Sequence, residues 1–439
     1  MQLGIGAVVQ ASLYKPLVNS DKDEISRVIT SANKFFRKIG LVLIFYSIVL
    51  YPRITHNAFC YRDVALLIFA ISLNLFVQYY FGVVDIILLT ADQKGYINYF
   101  GSIISLTFNT VVCVILIYAG CSIQSVKIVS SFILLIKPIY NRIYINKHYS
   151  INRRMTYSGE PIKQKWNGIA QHISSVVLDN TDTIVLTMFS TLSNVSIYGV
   201  YYMVIYGVKT LFTSVSNGIE AILGELWARD NKQELSNCFE WVEWAIHNLV
   251  ILIFGCTGTL IVPFVMLYTQ GINDANYNQF EFAVLIVLAH ALHCIRLPYH
   301  MMIKASGRFK ETQSNYFIAA IINLLVSIIT VKLMGLIGVA IGTFIAMLYQ
   351  TVWMAVYNSK NIFNRSIKTF IKLIMLDSLN VIIAVWIMFM LPMQANTIIK
   401  WIFSAVIVFI IWTFIILVTN SIFYKDKVHL LIKKIKVRL

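Results

Sequence analysis

Runs of about twenty consecutive apolar residues recur along the whole chain, and this feature narrows the fold more than any other. A helix needs roughly 20 such residues to cross a bilayer. Inside the hydrocarbon every backbone group must be bonded within the protein, so only helices and closed barrels can span it. Barrel strands alternate apolar and polar residues, and the long Ile/Leu/Val/Phe runs here do not alternate. Only seven prolines interrupt the 439 residues. Composition agrees, with 58% hydrophobic and 13% charged residues, against about 25% charged in an ordinary soluble domain. These figures exclude a soluble globular protein, a disordered chain and a disulfide scaffold. The fold class is all-α, a polytopic membrane protein.

The apolar runs predict twelve spans. Seven are Gly40–Tyr51, Leu66–Thr90, Phe100–Ala119, Ser122–Asn141, Gly168–Leu192, Val195–Trp227 and Cys238–Tyr268. Five more are Phe280–Ile303, Phe317–Val331, Leu336–Tyr357, Ile371–Leu391 and Trp401–Ser421. This arrangement sorts the charges by side. Of 36 Lys and Arg residues, 28 fall on one side, Arg53, Arg62, Lys332 and Lys400 on the other, and Lys127, Lys137, Lys209 and Arg296 within or near spans. Such asymmetry turns the rich side, with the C-terminal tail, toward the cytoplasm of a bacterial plasma membrane. The net charge of +16 is therefore topology rather than a nucleic-acid footprint. The tail from Lys425 to Arg438 is basic enough to touch anionic lipid headgroups.

The six cysteines show no metal-ligand spacing. Cys60 and Cys121 both fall near the outer face and can be drawn as a bridge, although buried free thiols are the default for all six. No signal peptide, phosphate-binding loop or cofactor motif is visible. His290 and His293 lie three apart, with no carboxylate at ligand spacing, so no metal site is expected there.

Short matches suggest an internal duplication. Gly4-Ile5-x-Ala7 followed by Lys22-x-Glu24-Ile25 reads like Gly218-Ile219-x-Ala221 followed by Lys232-x-Glu234-Leu235, and Asn98-Tyr99-Phe100 recurs as Asn315-Tyr316-Phe317. The separations of 214, 210 and 217 are nearly constant. The expected architecture is two pseudo-symmetric helical lobes around a central cavity, related by an axis along the membrane normal, plus two C-terminal helices. In residue numbers this gives an N-terminal lobe over 1–144, a basic cytoplasmic linker over 145–167 and a C-terminal lobe over 168–357. Two extra helices over 358–421 and a basic tail over 422–439 complete it. By the repeat arithmetic the first copy lacks one and a half helices, about 45 residues. The expectation is twelve full spans with a partial N-terminal helix; a re-entrant or surface helix at the start is the alternative.

An ionisable side chain within a span costs about 2.5–3.5 kcal/mol on insertion scales and usually faces a wet or protein-lined interior. Helical spacing puts His172, Ser175, Asp179 and Asp182 within an arc of about 80°. Tyr202, Lys209, Thr213, Ser216 and Glu220 share about 60°, as do His293, Arg296 and His300. Asn74, Gln78 and Asp85 mark the second span; Ser130, Lys137 and Asn141 mark the fourth. A central hydrophilic cavity explains the five stripes together. Arg296 offers a planar fork for phosphate oxygens, while Lys137 and Lys209 are point charges. Internal pairing with Asp179, Asp182 or Glu220 is the competing reading. Asp179, Asp182, Glu220 and Asp377 are candidates for coupling transport to an ion gradient. Pro138, Pro263 and Pro298 interrupt helices, which membranes tolerate mainly beside cavities or joints.

These residues resemble a family. Leu178-Asp179-Asn180-Thr181-Asp182-Thr183-Ile184-Val185, then Tyr198-Gly199-Val200-Tyr201, is similar to the seventh-helix region of polysaccharide-repeat flippases (Wzx-type) of the multidrug/oligosaccharidyl-lipid/polysaccharide exporter superfamily. So are Arg296-Leu297-Pro298 with Ala305-Ser306-Gly307-Arg308-Phe309-Lys310-Glu311-Thr312-Gln313, and the small-residue helix start Gly335-Leu336-Ile337-Gly338-Val339-Ala340-Ile341-Gly342-Thr343. The chain departs from the family pattern in its absent first helix. The resemblance implies a transporter rather than an enzyme. It also implies alternating access, moving an undecaprenyl-pyrophosphate-linked oligosaccharide to the outer leaflet for capsule, O-antigen-like or exopolysaccharide export. Arg296 with Lys137 or Lys209 would hold the pyrophosphate, and His293, Tyr202 and Tyr206 would face sugars. Membrane lipids and a polysaccharide polymerase machinery are the implied partners, with no cofactor and no nucleic acid. The rival within the superfamily is a multidrug or cation antiporter, which calls for a net acidic lining. An integral-membrane polymerase needs a larger non-membrane loop than Pro52–Arg62 or Thr269–Gln279.

Overall fold

The computed structural model describes residues 4–55, 61–389 and 397–438, and all regular structure among them is helical. The first half comprises α1 (Ile5–Val18), α2 (Lys22–Thr55), α3 (Tyr61–Val77), a π-helical turn at Gln78–Gly82, α4 (Val83–Ala91), α5 (Gly95–Tyr118), α6 (Ile123–Ile133) and α7 (Ile136–His148). After the linker come α8 (Lys165–Phe189), α9 (Leu192–Ala228), α10 (Lys232–Tyr268), α11 (Phe280–Ile295), α12 (Leu297–Ala305), α13 (Phe309–Met334) and α14 (Leu336–Asn361). The chain closes with α15 (Lys368–Phe389), α16 (Ile398–Phe423) and α17 (Lys425–Arg438).

Ten helical stretches among the described residues are long and apolar enough to cross a membrane. Ten of the twelve expected spans fall on them. The other two, Gly40–Tyr51 and Gly168–Leu192, fall on α2 and α8. Charges at Lys34, Arg37 and Lys38 cut into the apolar run of α2, and the stripe containing Asp179 and Asp182 does the same in α8. Cys60 and most of the loop Pro52–Arg62 lie outside the described residues.

Burial runs opposite to that of a soluble protein. Asn323, Gln350, Asn358 and Thr312 are fully buried, while Ile103, Ile329, Leu333 and Phe403 are exposed. Where the surroundings are hydrocarbon, polar groups turn inward to find partners and apolar ones cost nothing at the surface. This is the pattern of a multi-pass membrane protein.

Prolines mark two of the three expected breaks. Pro138 and Pro298 sit in the first turns of α7 and α12, where a missing N–H removes no intrahelical bond. Pro263 does not interrupt its span, because α10 runs through it. One reason is on the neighbouring helix. The indole N–H of Trp401 donates to the carbonyl of Leu260 at 3.2 Å, satisfying an acceptor in the turn that the proline disturbs.

Two compact units emerge from the chain. The first holds Met1–His172, Asn217–Lys232 and Lys304–Lys310; the second holds Ile173–Ser216, Gln233–Ile303 and Glu311–Leu439. Within the first, α1 packs on α2 and α4. A Cβ placed on Gly4 would fall 2.1 Å from the carbonyl of Gly168, and one on Gly224 would fall 2.2 Å from the Tyr14 ring, so the absent side chains are what permit these approaches. Residues 149–164 are stitched to α2 through Ser26, Thr30 and Ser31. Glu160 anchors this segment. Its burial works to raise the carboxyl pKa, but hydrogen bonds from Lys165, Ser31 and the Ile162 N–H outweigh that and hold it below the ordinary value.

In the second unit α11 lies along α14, and α15 pairs with α16. Trp412 of α16 rests on Gly255 of α10, where a Cβ would meet the indole at 2.6 Å. Around it gather Ile251, Leu260, Ala384, Val408, Ile415 and Ile416. The two halves of the chain turn alike. Left-handed residues end helices at Ser20, Gln93 and Gly120, and again at Asp230, Gly307 and Gly335, with separations of 210, 214 and 215 that match those of the sequence repeat.

Candidate functional site

Asp179 and Asp182, one turn apart on α8, have different surroundings. Lys209 of α9 donates to Asp179 at 2.9 Å; its own side chain is 10% exposed and that of Asp179 is 40% exposed. Asp182 is buried and accepts from Tyr198 of α9 at 3.1 Å, Thr343 of α14 at 2.7 Å and Asn323 of α13 at 3.4 Å. A carboxylate with three donors from three helices is a fixed joint as much as a titrating group. The small residues before Thr343 let α14 come this close: a Cβ on Gly338 would fall 2.3 Å from the Thr330 carbonyl, and one on Gly342 2.1 Å from the Ser327 hydroxyl.

From Tyr198 an aromatic row leads to the basic residues. Tyr198 stacks on Tyr202 with centroids 5.4 Å apart, Tyr202 lies 5.5 Å from His290, and His290 lies 6.3 Å from His293. Arg296 Nη2 then donates to His293 Nδ1 at 2.9 Å. A guanidinium can only donate, so this ring accepts at Nδ1. Arg296 occupies the junction between α11 and α12 and is buried. Its Nε has no hydrogen-bond partner, and no carboxylate pairs with it among the described residues. The charges of Lys209 and Arg296 act together on both histidines. The two ring nitrogens of His290 and the amide of Gln350 are also buried without hydrogen-bond partners.

The remaining candidates are held elsewhere. Lys137 belongs to the first unit, half-buried on α7, with no hydrogen bond or ion pair to a described residue. Glu220, also in the first unit, is buried with Lys304 3.6 Å away. Asp377 of α15 pairs with His247 of α10 at 2.6 Å. Tyr206 is exposed, 6.1 Å from Tyr202. The second unit thus brings together Asp179, Asp182, Tyr202, Lys209, His293 and Arg296. The partners Tyr198, Asn323, Thr343 and Gln350 went unmarked in the stripes, although Tyr198 and Thr343 lie inside the segments that carry the family resemblance.

No family model and no curated protein matches the chain. Solved structures do match in fold. A Vibrio cholerae MATE transporter, VcmN, is 10% identical with a TM-score of 0.70, over 84% of this chain and 86% of its own. A MATE protein in the bent conformation is 12% identical with a TM-score of 0.69, over 82% and 84%. The lipid II flippase MurJ in an inward closed conformation is 18% identical with a TM-score of 0.60, over 97% and 90%. Identity this low speaks to architecture alone, and the architecture is that of the MATE and MurJ transporters.

Proposed function

We propose that this chain flips an undecaprenyl-pyrophosphate-linked oligosaccharide repeat unit across the bacterial plasma membrane, supplying a polysaccharide polymerase on the outer side. The observation that carries this reading is Arg296: a buried guanidinium at a helix junction, with a free Nε and no carboxylate partner among the described residues. An uncompensated cation inside a span is costly, and an anionic substrate group relieves that cost. The row Tyr202, His290 and His293 supplies aromatic and polar faces for sugars beside it. The MurJ likeness adds a flippase fold over nearly the whole chain.

Coupling to an ion gradient falls in this reading to Asp179, whose carboxylate is both paired with Lys209 and open enough to exchange a proton. Asp182 fixes four helices, while Glu220 and Asp377 answer to Lys304 and His247. The same exposed Asp179 beside Tyr202 favours the second reading, a multidrug or cation antiporter.

The test is export of surface glycan in cells whose own repeat-unit flippase is deleted. This chain restores export, and Arg296→Ala at equal membrane abundance does not. Failure to restore export of any of several sugar repeats, with resistance to cationic drugs gained instead, would establish the antiporter.

A further inference from the structure

The first unit contains a group of arginines that this transport reading does not use. Asp85 of α4 is 1% exposed and accepts from Arg142 Nε at 2.6 Å and from Arg153 Nη2 at 3.1 Å. Arg142 also donates through Nη2 to the carbonyl of Phe81 at 2.7 Å, inside the π-helical turn. Arg37 of α2 lies over the ring of Tyr80 from the same turn, 4.9 Å from its centroid. Arg37 and Arg142 are the cations acting most strongly on Arg153, and Asp85 is the anion. Burial, with those two neighbours, holds the Arg153 guanidinium below its ordinary pKa.

Three guanidinium groups therefore share one carboxylate, a surplus of two positive charges. None of the three pairs with a second acid among the described residues. Arg37 Nε and Arg153 Nη1 are shielded from solvent and have no hydrogen-bond partner. The ring of Tyr80 accounts for Arg37 Nε in part, but nothing accounts for Arg153 Nη1. The second unit offers a contrast. There Arg365 meets Glu243 one to one at 2.6 Å, its guanidinium set against Phe239 and Phe363. One acid for one base closes that cluster. One acid for three bases leaves the first cluster open.

We propose that Arg37, Arg142 and Arg153 form a binding site for a phosphate-type anion, separate from Arg296. Several planar forks with unmet N–H groups suit an oxyanion that accepts two or more charge-assisted bonds, and the surplus charge favours a dianion over chloride. The phosphate can come from a lipid headgroup or from a water-soluble compound. Either would be met on the side of the protein where Lys and Arg accumulate.

The experiment uses the purified full-length chain. Thermal unfolding in detergent is followed against inorganic phosphate and pyrophosphate, with chloride at matched ionic strength. In parallel it is followed in nanodiscs of phosphatidylcholine alone and of phosphatidylcholine equimolar with phosphatidylglycerol. Stabilisation by pyrophosphate assigns a soluble ligand; stabilisation only by phosphatidylglycerol assigns a headgroup. Arg37→Gln, which leaves both bonds to Asp85 in place, weakens the responding arm about tenfold, as expected for one charge-assisted bond. Asp85→Asn strengthens it by removing the competing carboxylate. Should wild type respond to neither source, or should wild type, R37Q and D85N respond alike, the arginines serve only Asp85 and the proposal fails.

Discussion

Two cations inside spans meet different fates at the residue scale. Lys209 is answered by Asp179, and because that carboxylate is 40% exposed the pair contributes at most about 1 kcal/mol. Arg296 has only a neutral imidazole acceptor, so its charge is available to a substrate. Arg296→Ala should abolish export with membrane abundance unchanged. Arg296→Lys should restore only a fraction, since an ammonium keeps the charge but loses the fork. Export assays beside immunoblots of the membrane fraction check both. Asp179, Lys209, His293 and Arg296 were legible as letters because a charge among twenty apolar neighbours is improbable without a purpose. Tyr198, Asn323 and Thr343 were not. A hydroxyl or amide can close on its own helix, as the Thr343 hydroxyl does on the Val339 carbonyl, so its presence says little until the helix it faces is known.

Helices and the segments between them carry the next two predictions. Gly338 approaches backbone that cannot rotate away, whereas Gly342 mainly meets a hydroxyl that can. Gly338→Ala should therefore cost about 1–3 kcal/mol and Gly342→Ala less, read as a lower unfolding temperature in detergent. Glu160, depressed below its ordinary 4.5 in the folded chain, stabilises residues 149–164 fully above that value. The contribution is lost as pH falls through the lower folded value. Hydrogen exchange of the segment should accelerate over that acidic window, and Glu160→Gln should show the fast rate at neutral pH. Prolines at 138 and 298 betrayed their breaks in advance. Pro263 misled, because the Trp401 donor that repairs its turn lies 138 residues further along.

Across the whole molecule the duplication was readable from three short matches, and the turns repeat its spacing. What sequence spacing left unseen is how α15 and α16 are joined to the second unit. His247 meets Asp377, Trp244 donates to Asn420 at 2.8 Å, and Asn420 donates to Asn248 at 2.6 Å. The MATE structures match 82–84% of this chain and MurJ 97%, a difference close to the share that follows α14. Ending the chain after Asn361 would strand these polar groups of α10, each worth about 0.6–2 kcal/mol when bonded in a membrane. The shortened chain should aggregate on size-exclusion chromatography in detergent. Adding Trp244→Phe, His247→Phe and Asn248→Leu should recover part of the monodisperse peak.

The widened turn at Gln78–Gly82 has the geometry of a helix that accommodates one additional residue. Removing a single residue there should let the ladder close as ordinary α-helix, and everything beyond the deletion would turn by about 100° and shorten by about 1.5 Å. Asp85 would then face away from Arg142 and Arg153, so one missing codon would act as three lost ion-pair partners. A single-codon deletion scan from residue 70 to residue 90, scored for protein in the membrane, should show its greatest losses on the α4 side of Gly82. The turn is a register setting, and the arginine cluster depends on where it is set.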